Sequence, residues 1–397
     1  MTDSTIVTDR WKKIYHLAVV FFLYATLIVD VYRKTVGINV TQVRNAIYLL
    51  NFLFIVIDMV RSKHVKNMIA IFFLFSVLYI ISFVINQHES LYIQSWSFFV
   101  LRLWPAFYIG KYTIDWRLVS RYARRLIWIA LYYVFVIFYG DPEKDTFAYA
   151  TLAMNLFFVV WIAFYDSFTE RKVLFIILGL ICSLPVLFLG TRACMFGFLL
   201  VIVLLLIQRS RERARSQLFL MLLIPLIILV VIFYSQSIVD SLAALFPNSR
   251  SIKFLNNNDV LNDSNRFGIY SRLIDELTNS PFRIHGLLGD QIFLAGPSAT
   301  DEIILASYSH NVSLELCMQF GLLLGMLISV YFLVKLISAF IKSKKCAPSL
   351  NFVFIGVLGM SFVNMMVSSS YMNAYYVWLL IGLASCVNHK NNSYSQH

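Results

Sequence analysis

The stretch from residue 173 to residue 208, VLFIILGLICSLPVLFLGTRACMFGFLLVIVLLLIQ, decides the fold, because two apolar runs in it flank a single arginine. Each run is long enough for a helix to cross a hydrocarbon core of about 30 Å. Only Gly190 and Thr191 separate the first run from Arg192, so the chain has to turn sharply and return. The pattern predicts two antiparallel membrane helices with a cation at the turn.

Similar apolar runs recur along the whole chain. It has 59% hydrophobic and 14% charged residues and a mean hydropathy of +0.74, which excludes an ordinary soluble protein. The alternation of a membrane β-barrel does not recur, and the N-terminal run lacks a signal-cleavage site. We predict an all-α polytopic membrane protein with about twelve transmembrane helices. The predicted spans are approximately 14–32, 43–60, 67–85, 92–110, 123–140, 147–166, 173–190, 192–208, 217–235, 311–341, 349–369 and 371–388.

The positive charge predicts topology. The formal net charge is +12, and the lysines and arginines of the short loops concentrate on the face that holds both termini. The positive-inside rule therefore places both termini in the cytoplasm. The basic run 209–215 then lies at a cytoplasmic helix end beside anionic lipid, and nucleic acid is not an expected partner.

One connection is much longer than the others. Residues 236–310 divide the transmembrane helices at 1–235 from those at 311–397, and span parity places this loop outside, in the periplasm if the host has two membranes. Apolar residues at helical spacing predict a helix from Arg266 to Leu277, which Asn279-Ser280-Pro281 ends. Loops of this length are usually functional or disordered, and the helix favours a folded loop.

The residues around this loop are those best suited to binding and transforming an anionic substrate. Arg192 opens a helix at the outer face, where the helix dipole also favours an anion, although a snorkelling interfacial arginine is the alternative. His310 ends the loop in Tyr308-Ser309-His310-Asn311, and its imidazole can accept a proton near neutral pH, although it could also cap a helix. Glu315, about one turn further, could orient this imidazole.

Three more arginines are candidate anion ligands. Arg266 and Arg272 lie in the long loop, where a salt bridge is the alternative role. Arg102 lies inside the predicted fourth span, where arginines are expensive and usually functional or paired. Asp30 and Asp58 are its candidate partners. The sequence has no Asp-x-Asp pair, phosphate-binding P-loop, His-Glu-x-x-His or Gly-x-Ser-x-Gly, and its five cysteines have no metal-ligand spacing.

With these features the chain resembles the O-antigen polymerase and O-antigen ligase superfamily of bacterial polysaccharide assembly. The resemblance covers roughly residues 186–325 and depends on the order of four segments around one outer loop. They are Gly190-Thr191-Arg192-Ala193, Asn265-Arg266 through Asn279-Ser280-Pro281-Phe282, Gly286-Leu287-Leu288-Gly289, and Ser309-His310-Asn311-Val312-Ser313-Leu314-Glu315 leading to Phe320-Gly321.

The resemblance implies a GT-C-like fold and a glycosyltransferase that uses undecaprenyl-pyrophosphate-linked sugars without a cofactor or required metal. Arg192, Arg266 and His310 match the family's functional positions, so the arginines would hold the pyrophosphate and His310 would deprotonate the acceptor hydroxyl. Arg272, Arg102, Asn311, Glu315 and Tyr308 are expected to contact substrate. An O-antigen polymerase of the bacterial inner membrane, with a possible chain-length regulator as partner, is the first hypothesis. The alternatives are an O-antigen ligase acting on lipid A–core and, less favoured, a transporter of lipid-linked oligosaccharide.

Overall fold

The computed structural model describes residues 3–36, 41–113, 115–139, 148–188, 192–209, 240, 264–296, 299–367 and 369–394. All the regular secondary structure in these ranges is helical, as predicted. The α-helices are α1 Asp3–Val36, α2 Thr41–Arg61, α3 Val65–Asn86, α4 Glu89–Phe98, α5 Trp104–Tyr112, α6 Trp116–Arg125, α7 Ile127–Tyr139, α8 Ala148–Thr169, α9 Val173–Phe188, α10 Arg192–Arg209, α11 Ser264–Asn279, α12 Gly289–Ala295, α13 Asp301–Ala306, α14 Val312–Phe320, α15 Leu322–Ser343, α16 Pro348–Val367 and α17 Tyr375–Tyr394.

Five of these helices contain segments long and apolar enough to cross a membrane, which supports a helical membrane protein. The segments are Arg10–Val29, Gln42–Arg61, Val65–Asn86, Leu322–Ser343 and Pro348–Val367. Three shorter apolar helical stretches are Ala153–Thr169, Val173–Ser183 and Phe196–Gln208. The predicted ninth span, 217–235, lies outside the described residues.

The chain divides into two compact units, of which the first comprises Met1–Phe54, Thr113–Val260 and Ala347–Met360. Its helices pack closely where a glycine faces an aromatic ring. The Trp161 indole stacks on Phe352 with 4.4 Å between ring centroids, and its N–H donates to the Phe352 carbonyl at 2.9 Å. Gly356 makes room for this indole, because a Cβ there would lie 2.0 Å from Trp161 Nε1.

The second unit comprises Ile55–Tyr112, Leu261–Cys346 and Ser361–His397. Its α5 and α17 approach closely at two glycines. A Cβ on Gly110 would lie 2.3 Å from the Leu379 carbonyl oxygen, and one on Gly382 would lie 2.3 Å from the Phe107 carbonyl oxygen. Such small-residue contacts are a common packing device of membrane helices.

The predicted single span 311–341 is wrong in one respect, because the chain reverses at Gly321. This glycine has a φ of +81°, a left-handed value that ends α14 before α15 begins. Gly325 then packs against α14, and a Cβ there would lie 2.4 Å from the Cys317 Cα. The two helices form a hairpin, so α14 is a helix separate from the candidate span Leu322–Ser343.

Candidate functional site

The predicted site residues Tyr308 and His310 lie on the short segment 308–311, which links α13 to α14. His310 has a φ of +55°, a left-handed conformation that is uncommon for residues with a side chain. The rings of Tyr308 and His310 are 4.2 Å apart between centroids. Conformations of this kind persist where surrounding contacts enforce them, and they cluster at functional sites.

Arg266 approaches this segment from the first turn of α11, which confirms the predicted helix up to Asn279. Leu273 and Leu277 of α11 pack with Cys317 and Met318 of α14 in one buried cluster. Burial raises the pKa of the Tyr308 hydroxyl, and the nearby positive charge of Arg266 opposes that rise. The fold therefore brings Arg266, Tyr308 and His310 together.

A buried carboxylate network supports the segment 308–311 from behind. We use this name for Asp290, Glu315, Gln319, Ser370 and Tyr371. The Ser309 N–H donates to Asp290 Oδ2 at 3.3 Å, and the Gln319 side-chain amide donates to Asp290 Oδ1 at 3.2 Å and to Glu315 Oε1 at 3.4 Å.

Glu315 accepts further hydrogen bonds within this network. The Ser370 hydroxyl donates to its Oε1, and the Tyr371 N–H donates to its Oε2 at 3.3 Å. The Tyr371 hydroxyl in turn donates to Gln319. The hydrogen bonds of Glu315 thus engage Ser370, Tyr371 and Gln319, whereas the sequence suggested that it orients His310.

Both carboxylates of the network are fully buried. Burial raises the pKa of Asp290 to about 6, against hydrogen bonds from Gln319 and Ser309 that favour the charged form. Among the described residues, all hydrogen-bond partners of Asp290 and Glu315 are neutral groups. A carboxylate in such surroundings readily takes up a proton.

The segment before α12 is fixed to α3 and α4, which explains the glycine pattern Gly286-Leu287-Leu288-Gly289. The Leu287 N–H donates to Ser82 Oγ at 2.8 Å, and the Tyr92 hydroxyl donates to the Leu287 carbonyl at 2.6 Å. Gly286 has a φ of +76°, and a Cβ there would lie 2.8 Å from Ser82 Oγ. This attachment places Asp290 directly after the tight turn.

Two predicted substrate ligands use polar atoms to cap helices. The Asn311 side-chain oxygen accepts from the N–H groups of Ser313 at 2.9 Å and Leu314 at 3.2 Å, as a helix N-cap does. The Arg272 guanidinium donates to the carbonyl groups of Phe293 and Leu294, both at 3.4 Å, at the end of α12. These contacts stabilise α14 and α12, and they leave the predicted substrate contacts untested.

Arg102 belongs to the π-helical turn Phe99–Leu103, and its guanidinium lies 4.7 Å from the Phe98 ring centroid and 5.5 Å from that of Tyr375. Its candidate partner Asp58 accepts a hydrogen bond from the Tyr108 hydroxyl at 2.8 Å. The Asp30 side chain lies outside the described part of the structure.

Arg192 begins α10 as predicted and belongs to the first unit, whereas Arg266 and His310 belong to the second. The turn 189–191 and the Arg192 side chain lie outside the described residues. The helix start is therefore established, and the predicted role of the Arg192 guanidinium stays a prediction.

Sequence analysis missed Asp290, Gln319, Ser370 and Tyr371. One signal was available for Asp290, since it follows the glycine motif directly and is an acidic residue just before the apolar run Ile292-Phe293-Leu294. The other three are separated from it by long stretches of sequence, and the backbone hydrogen bond from the Gly286 N–H to the Gln319 carbonyl oxygen, at 3.0 Å, brings Gln319 next to it.

The arrangement can perform proton transfer and anion binding at one place. An imidazole such as that of His310 can act as a base and a guanidinium such as that of Arg266 is a fixed cation. The hydrogen bond from the Ser309 N–H to Asp290 holds the segment that carries the imidazole. Within the described ranges, no group of three or more His, Cys, Asp or Glu side chains could hold a metal ion. Comparison with models of known protein families gave no match, and no curated protein matches the chain significantly.

Proposed function

We propose that this protein is an O-antigen polymerase, a membrane glycosyltransferase that uses polyprenyl-pyrophosphate-linked glycan. The grouping of Arg266 with Tyr308 and His310 of the buttressed segment 308–311 is the observation that carries the proposal. Transfer from a lipid pyrophosphate requires a base for the acceptor and a cation for the leaving group, and this grouping offers both.

In the proposed reaction the acceptor is a sugar hydroxyl at the non-reducing end of a lipid-linked repeat unit. His310 takes the proton of this hydroxyl as its oxygen attacks the anomeric carbon of the donor glycan. A glycosidic C–O bond forms, and the bond between the anomeric carbon and the pyrophosphate oxygen breaks. Arg266 stabilises the charge that builds on the departing undecaprenyl pyrophosphate, and the same role for Arg192 rests on the resemblance alone. No cofactor is required.

The proposal also includes a membrane topology with more spans than the five candidate segments. About twelve helices would cross the inner membrane of a bacterium, with both termini in the cytoplasm and the loop 236–310 in the periplasm. Tyr308 would stack on a sugar ring, and Arg272 and Arg102 would provide further anion contacts. Asn311 and Glu315 would act through the shape of the segment 308–311, given the hydrogen bonds that engage them. A chain-length regulator is a possible partner.

The test is the lipopolysaccharide ladder of a strain that lacks this gene. Restoring the wild-type gene should restore the ladder, whereas His310→Ala should lower polymer formation by about 100- to 10,000-fold, the usual contribution of a general base. His88→Ala is the matched control, because His88 also precedes a helix of the second unit and its side chain makes no capping hydrogen bond. Immunoblots of membranes check that all variants are inserted at equal levels.

The glycan left in the deletion strain distinguishes the polymerase from the ligase, and the ladder of His310→Ala tests the assignment of the base. A single repeat unit on the core in the deletion strain supports the polymerase. Bare core with long glycan on the lipid carrier supports the ligase, which transfers finished glycan to lipid A–core. A normal ladder from His310→Ala removes the assignment of His310 as base.

A transporter of lipid-linked oligosaccharide is a second candidate that one observation favours. Asp290 and Glu315 are buried carboxylates beside the helix reversal at Gly321, and protonatable carboxylates next to interrupted helices occur in proton-coupled transporters. An unchanged ladder in the deletion strain would favour this class. Polymer formation by the purified protein from lipid-linked repeats in detergent, where transport is impossible, would reject it.

A further inference from the structure

Two large apolar side chains lie exposed in the connection between α11 and α12. The side chain of Phe282 is 82% exposed, and that of Ile284 is 52% exposed. Water is an unfavourable surrounding for neighbouring apolar side chains, and exposed groups of this kind mark contact with another apolar phase. The question is which phase covers them.

The backbone places these residues at the beginning of a membrane span. The Leu322 N–H donates to the Pro281 carbonyl oxygen at 2.9 Å. At the reversal itself, a Cβ on Gly321 would lie 3.7 Å from the Phe282 carbonyl carbon and 3.7 Å from the Arg283 carbonyl oxygen. The turn formed by residues 281–284 is therefore level with the first residue of the candidate span Leu322–Ser343.

The beginning of this span is itself apolar and exposed. The exposed large side chains of its first turns are Leu322, Leu323, Leu324, Met326 and Leu327. In a membrane helix such side chains face acyl chains, so the apolar surface of the turn continues a surface that lipid already covers. Arg283 lies between the two apolar residues and pairs with Glu276 at 3.2 Å. An apolar pair next to a charged group is typical of segments that lie in the membrane interface.

We propose that residues 281–284 anchor the loop in the bilayer, with the Phe282 side chain inserted among the acyl chains where α15 enters the membrane and Ile284 beside it. The occupant of this surface is the lipid of one leaflet. This inference needs only the candidate span and is independent of the proposed glycosyl transfer. It would hold the segment 308–311 at a fixed height above the lipid, through the packing of α11 on α14.

The experiment measures how close Phe282 lies to lipid. Phe282→Cys, with an environment-sensitive fluorophore on the thiol, is placed in vesicles of phosphatidylcholine and phosphatidylglycerol that contain lipid with a nitroxide near the headgroup end of one acyl chain. Leu323→Cys on α15 is the lipid-facing control, and Asp275→Cys is the aqueous control, because its helical neighbours on the exposed side of α11 are polar. Four of the five native cysteines are buried, so wild-type protein labelled in the same way supplies the background.

We expect the fluorophore at Phe282 to emit at shorter wavelength than at Asp275 and to be quenched about as strongly as at Leu323. Quenching at Phe282 no stronger than at Asp275 overturns the proposal and points to a protein partner or a second copy on this surface. Phe282 makes few contacts, so its replacement should not unfold the protein. If the yield nevertheless falls, Ile284→Cys answers the same question by the same criterion.

Discussion

Asp166 in the first unit and Asp290 in the second are both fully buried carboxylates, but their partners differ in charge. Asp166 lies 3.0 Å from the Arg124 guanidinium and 3.8 Å from that of Arg121. Asp290 instead accepts hydrogen bonds from a backbone N–H and a side-chain amide, and a second buried carboxylate shares that amide.

The difference separates a structural role from a functional one. The Asp166 carboxylate joins α6 to α8 through two arginines, and its removal leaves the nearly buried Arg124 cation without compensation. A carboxylate among neutral donors is not fixed in its charged state, and Asp290 holds the backbone of Ser309 between the two candidate site residues Tyr308 and His310. The first arrangement builds the scaffold of its unit, and the second supports a site.

The largest effect is expected from Asp166→Ala. The Arg124 side chain is only 12% exposed and lies over the Phe175 ring at 5.2 Å, so the variant leaves a nearly buried charge unpaired. We expect a loss of about 3–5 kcal/mol in the free energy of unfolding. The measurement is the thermal unfolding midpoint in detergent, followed by tryptophan fluorescence.

The contact of Asp166 with Arg124 is ionic, and its angles fall outside hydrogen-bond geometry. The expected loss therefore comes from the uncompensated charge rather than from a lost hydrogen bond. If Asp166→Ala unfolds at the wild-type temperature, the scaffold role of this pair is wrong and the contrast with Asp290 disappears.

A smaller loss in the free energy of unfolding is expected when the hairpin that carries Glu315 is forced open. A Cβ at residue 325 would lie 2.4 Å from the Cys317 Cα and 2.5 Å from its backbone nitrogen, and neither backbone atom can move alone. Gly325→Ala should cost about 1–3 kcal/mol, the range for overpacking. Unfolding in detergent again provides the measurement.

Gly268→Ala is the matched control for this variant. Gly268 lies inside α11, and a Cβ there meets nothing within 4 Å. The same substitution should stabilise the protein by about 0.5–1 kcal/mol, because glycine is a poor helix former. Equal effects of the two variants would mean that the hairpin tolerates opening.

The pH dependence of stability tests the protonation state of the Asp290 carboxyl directly. The pKa of an aspartate in an unfolded chain is about 3.9, and that of Asp290 in the folded protein is about 6. Between these values the folded protein keeps a proton that the unfolded chain has released. The contribution of protonated Asp290 to the free energy of unfolding is therefore fully present below about pH 4 and is lost as the pH rises through about 6.

Asp290→Asn should remove this decline, because asparagine resembles the protonated carboxyl and can still accept from the Ser309 N–H. We expect the difference in unfolding free energy between the variant and wild type to change by on the order of 1–3 kcal/mol from pH 4 to pH 7. Midpoints measured across this range provide the test, with Asp275→Asn on the exposed side of α11 as charge-matched control. Parallel curves for wild type and Asp290→Asn would contradict a protonatable Asp290.

Part of this picture was predictable from the sequence because it is local. The apolar runs place most of the helices, Arg192 begins α10, and the apolar spacing from Arg266 to Leu277 places α11 with its end at Asn279. The spacing of Gly321 and Gly325 also indicates close helix packing, and Gly325 makes such a contact with α14. Periodicity and stop signals suffice for such features.

The remaining features depend on contacts between distant residues. Hydropathy does not reveal that Gly321 reverses the chain, because the apolar run continues on both sides of it. The network that joins Asp290 to Glu315 and Ser370 brings together residues from three separate stretches of the chain. Glu315, predicted beside His310, makes hydrogen bonds with Ser370 and Tyr371 instead.

The smallest effect is expected from Glu170→Ala, which sharpens the meaning of Asp166. Glu170 follows α8 one turn beyond Asp166 and pairs with Arg117 at 3.0 Å, but both side chains of this pair are exposed. Water screens such a pair, so little or no change in the unfolding midpoint should follow. Measuring Glu170→Ala beside Asp166→Ala separates burial from ion pairing as the source of stability, because both variants remove a carboxylate that pairs with an arginine of α6. If Glu170→Ala lowers the unfolding midpoint as much as Asp166→Ala does, ion pairing alone stabilises the first unit. The contrast between charged and neutral partners would then not indicate which buried carboxylate supports a site.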